Sequence, residues 1–225
     1  MTTLLTTERL LVRDWEDSDA AAALAVFGDE RVSRWLSPAT DPVPDEAAML
    51  ELLRSWRQEG EEAGADLTQY LGRWALVRRE DGAVVGALVL RTMPPHDEDL
   101  EIAWQLAPEH WGHGYASEGA RGLARWAFGQ SASELFAVVR PGNDRAAWIA
   151  RRLNMEWVGE TEKYYDQTLQ VYRLRPGDLA EATASNARDP HVDTGSVRTV
   201  EAIDRPVPAA TDDGSDEASG LGGPA

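Results

Sequence analysis

The amino-acid sequence predicts an α/β (α+β) domain of about seven strands and about four helices. A chain of 225 residues with 43% hydrophobic content is long enough to bury one substantial core. Short runs of alternating apolar residues, typical of strands, are interspersed with longer segments in which apolar residues recur at helical spacing. No internal repeat is present, so one such domain is the starting prediction.

The N-terminal third of the chain is predicted to hold one strand and two helical segments. Residues 8–15 alternate in the manner of a first strand. An Ala-rich helix follows over residues 17–36, with an interruption near Gly28. A second helix begins at Asp45 and carries an apolar stripe that we interpret as packing surface. The acidic, Gly-rich residues 59–66 are expected to form a mobile, solvated loop.

Two further strands are predicted over residues 70–79 and 83–93. They are joined by Asp81 and Gly82, a dipeptide that strongly favours a two-residue hairpin turn. The second strand is apolar on both faces. Because strands covered on both sides read in this way, we expect it to lie in the middle of the sheet.

The most informative stretch of the sequence runs from residue 100 to residue 128. An alternating strand over residues 100–106 leads through Pro108 into a turn with Gly112 and Gly114, and an Ala-rich helix follows. A helix N-terminus carries about half a positive charge and several unpaired N–H groups. Glycine has no Cβ to keep a phosphate away from those groups. The stretch therefore predicts a site for an anion.

The remaining elements are predicted as a strand over residues 134–140, a helix over 143–154, and a closing antiparallel pair over 156–161 and 169–175. From Pro176 onward the hydrophobic periodicity disappears and Gly, Pro, Ser, Thr and Asp accumulate. This stretch carries about ten acidic residues against three arginines. We therefore divide the chain into a domain at residues 1–176 and an acidic, disordered tail at residues 177–225.

The glycine turn also carries a family resemblance. Trp111-Gly112-His113-Gly114-Tyr115-Ala116 resembles the Gln/Arg-x-x-Gly-x-Gly/Ala loop by which GCN5-related N-acetyltransferases (GNAT) hold the pyrophosphate of acetyl-CoA. Trp at the first position is usual in the RimJ/RimL-like branch, which the chain resembles most. A second signature begins at Asn143, although Ala146 and Ala150 stand where other members have Ser and Tyr. The resemblance covers about residues 5–176.

Membership of this family would imply a GNAT fold, a mixed and mostly antiparallel twisted sheet whose fourth and fifth strands splay apart. It also implies acetyl-CoA as co-substrate, with its pyrophosphate at the glycine turn and its pantetheine arm along the fourth strand. The residues that would bind the coenzyme are Trp104, Gln105, Leu106, Trp111, Gly112, His113, Gly114, Tyr115, Ala116, Ser117 and Asn143.

Glu101 is the best candidate for a catalytic base, because it matches the Glu of the RimJ/RimL-like motif on the strand that lines the cleft. Amide formation needs a neutral amine, and an ordinary carboxylate needs partial burial or a water relay to accept its proton near neutral pH. The other interpretation of Glu101 is an exposed polar residue of the strand. For the general acid, Tyr164, Tyr165 and Ser117 are candidates, unless the thiolate leaves unaided.

The resemblance therefore predicts an N-acetyltransferase that transfers the acetyl group of acetyl-CoA to a primary amine by direct attack in a ternary complex. The acceptor is either a protein N-terminus or a small-molecule amine. An alternative hypothesis is a catalytically weak, CoA-binding module that acts as a sensor or interaction partner. The Ala residues at positions 146 and 150 favour this alternative.

Composition limits the classes of partner and the cellular compartment that we expect for this protein. A formal net charge of −17 and a pI near 4.6 argue against a nucleic-acid binder and favour cationic partners. The chain has no Cys, and its four His lack metal-ligand spacing, so neither a disulfide framework nor a metal site is predicted. No basic leader or long apolar run occurs, so we expect a cytoplasmic protein without membrane association, as a monomer or homodimer.

Overall fold

The computed structural model describes residues 2–38, 40–62 and 71–179, which form one sheet with helices on both faces. The strands are β1 (Thr3–Thr6), β2 (Leu10–Arg13), β3 (Gly72–Arg78), β4 (Val84–Met93), β5 (Asp99–Leu106), β6 (Leu135–Val139), β7 (Glu156–Thr161) and β8 (Leu169–Leu174). The α-helices are α1 (Ala20–Phe27), α2 (Glu30–Ser33), α3 (Glu46–Glu62), α4 (Tyr115–Gly129) and α5 (Asp144–Arg152).

The strand order is β1-β2-β3-β4-β5-β6-β8-β7, and every neighbouring pair is antiparallel except β5 and β6. The mixed, mostly antiparallel sheet is therefore confirmed. The strand count of about seven is one too low, because β1 turns back onto β2. The Thr7 amide closes that turn by donating to the Leu10 carbonyl at 2.8 Å. The pair predicted to splay apart as the fourth and fifth strands, residues 100–106 and 134–140, is therefore numbered β5 and β6 here.

The sheet separates two apolar cores. On β3 and β4, Leu76 and Leu88 belong to the core that also contains the buried residues of α4 and α5. Their neighbours Ala75 and Ala87 belong to the opposite core, with α1 and α3. This alternation follows from the two-residue period of a strand. It explains why residues 83–93 are apolar on both faces, and it confirms their place in the middle of the sheet.

Several helix boundaries follow the capping residues that the sequence contains. The interruption predicted near Gly28 is confirmed, since α1 ends just before it and α2 begins after Asp29, whose side chain accepts a backbone hydrogen bond at 2.8 Å. The Asp45 side chain accepts one in the same way at the start of α3, at 2.9 Å. Beyond α5, Asn154 adopts a left-handed φ of 64°, a conformation that Asn tolerates better than most residues.

The turn between β3 and β4 is longer than predicted. The Arg78 amide donates to the Ala83 carbonyl at 2.8 Å. Because β3 ends at Arg78 and β4 begins at Val84, five residues, 79–83, connect the strands instead of two. Gly82 takes the left-handed position of this turn, with φ +74°. The Asp-Gly pair therefore predicted the position of the hairpin correctly. It did not predict the length of the loop, which depends on the register of the strands.

Two predicted features fall partly outside the described residues. These are the loop at residues 59–66, of which residues 63–66 are not described, and the acidic tail, of which residues 180–225 are not described. The first part of the predicted loop, residues 59–62, is instead helical, because α3 continues to Glu62. Residues 176–179 are helical, and Leu179 is buried in the same core as α4. The folded domain thus extends at least to residue 179. No helix in the described ranges is long and apolar enough to cross a bilayer.

Candidate functional site

The sheet opens between β5 and β6. These parallel neighbours are matched at a single position, where Glu101 lies opposite Phe136. On their other sides β5 remains paired with β4 as far as Leu106, and β6 with β8 as far as Val139. Beyond Glu101, the facing backbone edges of β5 and β6 are therefore available to an extended ligand that lies between them.

A cleft of about 920 Å³ lies at this opening. Its volume is near the upper end of the range for small-molecule pockets, roughly 300–1,000 Å³. Glu101 and all eleven residues predicted to bind the coenzyme line this one cleft. The structure therefore brings together the residues that the sequence analysis selected from β5, the glycine turn and the start of α5.

The glycine turn has the geometry of an anion site. Gly112 and Gly114 both have left-handed φ angles, +82° and +78°, which residues with a Cβ rarely adopt. Gly114 is the N-cap residue of α4, so it offers no side chain to the unpaired N–H groups of the first helical turn. A Cβ at Gly112 would have no atom within 4 Å. The turn thus leaves room for an anion beside the positive end of the helix dipole.

Two buried polar atoms in the cleft fit a ligand with hydrogen-bonding groups. Ser117 Oγ and Gln105 Oε1 are both buried, and neither has a hydrogen-bond partner among the described residues. Both residues line the cleft. Because an unsatisfied buried polar atom costs about 1–3 kcal/mol, a partner supplied by a ligand would stabilise both atoms.

Arg9 and Glu118 hold the glycine turn in place through hydrogen bonds. Arg9 Nη1 donates to the His113 carbonyl at 3.0 Å, and Arg9 Nε donates to Glu118 Oε2 at 2.7 Å. Thr7 Oγ1 also donates to Glu118 Oε1, at 2.6 Å. The Arg9 guanidinium lies 5.0 Å from the ring centroid of Tyr115. The sequence analysis missed this contact, since Arg9 and Glu118 are 109 residues apart and no local pattern joins them.

A pH-dependent loss of stability is expected for Glu118→Gln. Burial opposes the ionisation of Glu118, but hydrogen bonds from Thr7 and Arg9 outweigh it, so the pKa of Glu118 is lowered. A carboxylate with a lowered pKa stabilises the fold above its ordinary pKa, and the stabilisation is lost as the pH falls through the folded-state pKa. We expect the variant to lose about 1–2 kcal/mol at pH 7, since Arg9 is half exposed.

Urea denaturation of the Glu118→Gln variant and the unchanged protein at pH 7 and at acidic pH measures this difference. It should shrink as the pH falls below about 4, the ordinary range of a Glu side chain. An equal difference at both pH values would contradict a contribution from the charge of Glu118.

Trp111 connects two walls of the cleft. Its indole N–H donates to the carbonyl of Leu106, the last residue of β5, at 3.0 Å. The guanidinium of Arg145, on α5, lies 4.0 Å from the centroid of the Trp111 ring. Asn143 is the N-cap residue of α5, and its side-chain oxygen accepts from the Ala146 amide at 3.2 Å. The Asn143 oxygen is therefore engaged within the helix cap.

Glu101 is buried and held by two donors. It is 2% exposed, which excludes the interpretation as an exposed polar residue. Arg91, directly opposite on β4, donates from Nε to Glu101 Oε2 at 2.8 Å, and the Tyr165 hydroxyl donates to the same oxygen at 2.7 Å. Arg91 also donates to the Ser37 carbonyl. Among the described residues, Glu101 Oε1 has no donor, so this oxygen is the one open to a substrate or a water.

The groups around Glu101 keep their protons. Burial lowers the pKa of Arg91, but the charge of Glu101 and its hydrogen bond outweigh burial, so the net effect is to raise it. Burial, followed by the charge of Glu101, raises the pKa of Tyr165. Arg91 therefore stays cationic, and Tyr165 stays a hydrogen-bond donor, near neutral pH. The sequence analysis did not assign Arg91 to the site, and it considered Tyr165 only as a general acid, not as a hydrogen-bond donor to Glu101.

Of the three hydroxyl groups considered as a general acid, that of Ser117 lines the cleft, whereas those of Tyr164 and Tyr165 do not. Tyr164 donates to Asp99 at 2.7 Å, and burial together with Asp99 raises its pKa to about 12. Tyr165 is engaged by Glu101. Ser117 is thus the candidate that the geometry leaves open, and its role stays a prediction.

The charge of the cleft differs from the charge of the whole chain. The charged residues of its lining are Arg31, Arg73, Arg91, Arg145 and Arg152 against Asp41, Glu101 and Asp144. An excess of arginines inside a protein of net charge −17 fits an anionic ligand. Within the described ranges, no three His, Asp or Glu side chains cluster closely enough to hold a metal ion.

Comparison with known proteins identifies related chains. Residues 9–156 match the family model described as the acetyltransferase (GNAT) domain. The chain is 25% identical over 171 residues to the uncharacterized N-acetyltransferase YoaA of Bacillus subtilis (strain 168), and the match covers 75% of this chain and 92% of YoaA.

Solved structures with a similar fold include an acetyltransferase from Agrobacterium tumefaciens str. C58, with a TM-score of 0.62 and 24% identity over 78% of this chain and 95% of the other. RimL, the ribosomal L7/L12 alpha-N-protein acetyltransferase solved in complex with coenzyme A, has a TM-score of 0.60 and 14% identity, over 79% of this chain and 99% of RimL. At these identities the likeness shows a shared fold.

Proposed function

Because the chain belongs to the GNAT acetyltransferase family and is an acyltransferase, we propose that it transfers the acetyl group of acetyl-CoA to a primary amine by direct attack in a ternary complex. The acceptor amine is that of a protein N-terminus or of a small molecule. The shared fold with RimL, named as an alpha-N-protein acetyltransferase, supports the first of these.

One observation carries the proposal: the glycine turn, the unpaired edge of β5 and the buried Glu101 all line the same cleft. Acetyl-CoA supplies an activated acetyl group on a long thin arm that ends in a diphosphate. The turn at Gly114 suits the diphosphate, and the edge of β5 suits the amide groups of the arm. Glu101 lies where that edge begins, so its carboxylate would stand near the acyl end of the arm.

The chain's own groups would hold the coenzyme mainly through the backbone. The N–H groups of the first turn of α4, with Ser117 Oγ, would donate to the diphosphate. The backbone of Trp104 and Leu106 would pair with the pantetheine arm as a neighbouring strand would. Binding through backbone groups depends little on side chains, which supports the fit despite Trp111 and His113 at positions where other members differ.

Glu101 would act on the acceptor amine. The amine nitrogen bonds to the acetyl carbon as the carbon–sulfur bond breaks, and Glu101 Oε1 takes the proton of the amine, directly or through one water. Arg91 and Tyr165 hold Oε2, so they orient Oε1 towards the cleft. The departing thiolate takes a proton from solvent or from a hydroxyl such as Ser117 Oγ.

A thiol-release assay with acetyl-CoA and a panel of amines tests the proposal. Peptides with free N-termini and small primary amines should include at least one acceptor that releases CoA thiol together with an acetylated product identified by mass. CoA binding without thiol release on any acceptor would favour the alternative, a CoA-binding module. No CoA binding at all would exclude both.

Tyr165→Phe is expected to lower kcat by roughly tenfold, with little change in the KM for acetyl-CoA. The substitution removes only the hydroxyl that holds Glu101 Oε2, a hydrogen bond to a charged group that contributes about 1.5–3 kcal/mol. The matched control is Tyr164→Phe, which removes the neighbouring hydroxyl from Asp99, outside the cleft. Steady-state kinetics of both variants provide the test, and equal effects on kcat would contradict a role of Tyr165 in positioning Glu101.

A further inference from the structure

Helix α5 presents a row of three long side chains to the cleft. Arg145, Trp148 and Arg152 are spaced i, i+3 and i+7, so they lie along one side of the helix. All three line the cleft. The row begins next to the glycine turn, because the Arg145 guanidinium lies over the ring of Trp111 at 4.0 Å. Arg152 is at the far end of the row.

Trp148 is exposed in an unusual place. Its exposed fraction is 54% although it lines the cleft, and a large apolar ring left half in water forgoes much of the stabilisation that burial provides. The Arg152 guanidinium lies 5.0 Å from the centroid of the ring. Among the described residues one other tryptophan is similarly exposed, Trp157 at 47%, and it does not line the cleft.

The two arginines beside Trp148 lack acidic partners. Among the described residues neither Arg145 nor Arg152 forms an ion pair. Arg121, on α4, donates to the Arg152 carbonyl at 2.9 Å, and burial together with the charges of Arg125 and Arg152 lowers the pKa of Arg121. Positive charge is thus concentrated around this end of α5, in a chain of net charge −17.

We propose that Trp148 is the stacking platform for the adenine base of the coenzyme, with Arg152 bound to its 3′-phosphate and Arg145 near its diphosphate. This inference rests on the proposed function. A purine base and an indole ring stack face to face, and such a stack typically strengthens binding by about tenfold or more. The ribose of CoA carries the diphosphate at its 5′ position and a single phosphate at its 3′ position, so a base stacked on Trp148 would bring both phosphate groups near the arginines on either side of Trp148 along α5.

The order of the three side chains along α5 decides which arginine would bind which phosphate group. Arg145 contacts Trp111 beside the glycine turn, where the diphosphate would lie. Arg152 is seven residues further along the helix, about 10 Å at 1.5 Å per residue. The 5′ and 3′ phosphates are carried by one ribose and lie closer together than this, so the two long arginine side chains would extend towards each other to reach both of them.

Calorimetric titration with two ligands tests the platform. The ligands are CoA and 4′-phosphopantetheine, which lacks the 3′-phospho-AMP part of CoA and so keeps one phosphate of the diphosphate. Trp148→Ala should weaken CoA binding by roughly tenfold and leave the affinity for phosphopantetheine unchanged. Trp148→Phe should restore most of the loss, because it keeps an aromatic face. Trp157→Ala, the matched control on β7, should change neither affinity.

The role of Arg152 is tested with a third ligand, 3′-dephospho-CoA. Arg152→Gln should weaken CoA binding by roughly five- to tenfold, since it removes one charge-assisted hydrogen bond, and should leave the affinity for dephospho-CoA unchanged. An equal loss for CoA and dephospho-CoA would overturn the assignment of Arg152 to the 3′-phosphate.

Two outcomes would overturn the platform itself. The first is an equal loss of CoA and phosphopantetheine affinity in Trp148→Ala. The second is a change from dimer to monomer in that variant, measured by light scattering, because it would assign the exposed ring to a contact between subunits. Failure of the proposed function is distinguishable, because it appears in the unchanged protein, either as no CoA binding or as CoA binding without thiol release. CoA binding that is insensitive to Trp148→Ala overturns this inference alone.

Discussion

Replacement of Gly114 by Glu is expected to abolish CoA binding, with the dissociation constant raised at least ~100-fold, while the domain stays folded. The new carboxylate would stand at the N-cap of α4, where the coenzyme's diphosphate is proposed to bind. Placing like charges together in a binding site costs several kcal/mol, and each 1.4 kcal/mol is a factor of about ten in affinity. The left-handed φ of +78° adds strain of about 1–2 kcal/mol, a fraction of a typical folding stability.

Two variants separate charge from strain in this experiment. Gly82→Glu introduces the same side chain at a left-handed φ of +74°, in the exposed turn between β3 and β4, with no atom within 4 Å of the new Cβ. It should bind CoA like the unchanged protein. Gly114→Ala introduces the strain without the charge and should lose much less affinity than Gly114→Glu. Calorimetry with CoA and thermal unfolding provide both readouts, and unchanged affinity in Gly114→Glu would remove the glycine turn from the coenzyme site.

Glu101→Gln is expected to lower kcat by roughly 100-fold or more, the usual contribution of a general base, at a nearly constant KM for acetyl-CoA. The amide cannot accept the proton of the attacking amine, so the dependence of kcat on pH should also flatten. The substitution leaves the cationic Arg91 beside a neutral partner. Breaking a buried ion pair in this way should reduce the free energy of unfolding by about 3 kcal/mol, the lower end of the usual range, because the Gln oxygen can still accept a hydrogen bond.

Asp99→Asn is the matched control for this loss of an ion pair. Asp99 lies two residues before Glu101 on β5 and accepts from Lys163 at 2.6 Å and from the Tyr164 hydroxyl at 2.7 Å. It therefore repeats the arrangement of a carboxylate with one cation and one tyrosine, but it does not line the cleft. Asp99→Asn should lose less stability than Glu101→Gln, because its ion pair with Lys163 is more exposed to solvent, and it should keep its kcat. A full rate in Glu101→Gln would place the base elsewhere.

The sequence predicted the elements of the site better than the contacts within it. The strand at residues 100–106, the glycine turn and the start of α4 are local features, and their periodicity and turn residues suffice to locate them. The strands at the N-terminus were harder to predict from the sequence. Residues 3–13 form two strands because β1 folds back to pair with β2, and nothing in the alternation of residues 8–15 shows whether a partner precedes it.

The residues that contact Glu101 also could not be predicted from local sequence patterns. Its burial depends on Arg91 from the neighbouring strand and on Tyr165, which is 64 residues away along the chain. The same holds for Arg9, which supports the glycine turn across 109 residues. Neither pairing has a sequence signature, because any arginine or tyrosine could in principle stand near any carboxylate until the fold brings one there.

The sequence by itself determined where most of the strands and helices and the glycine turn lie, because these depend on side-chain periodicity and backbone preferences within a few residues. Only the tertiary structure decided that the sheet parts between β5 and β6, that Glu101 is buried with one oxygen open to the cleft, and that Trp148 stays exposed beside two arginines without acidic partners among the described residues. Those properties depend on distance in space, register between strands and shared burial, which residues far apart in the chain acquire only when they pack together.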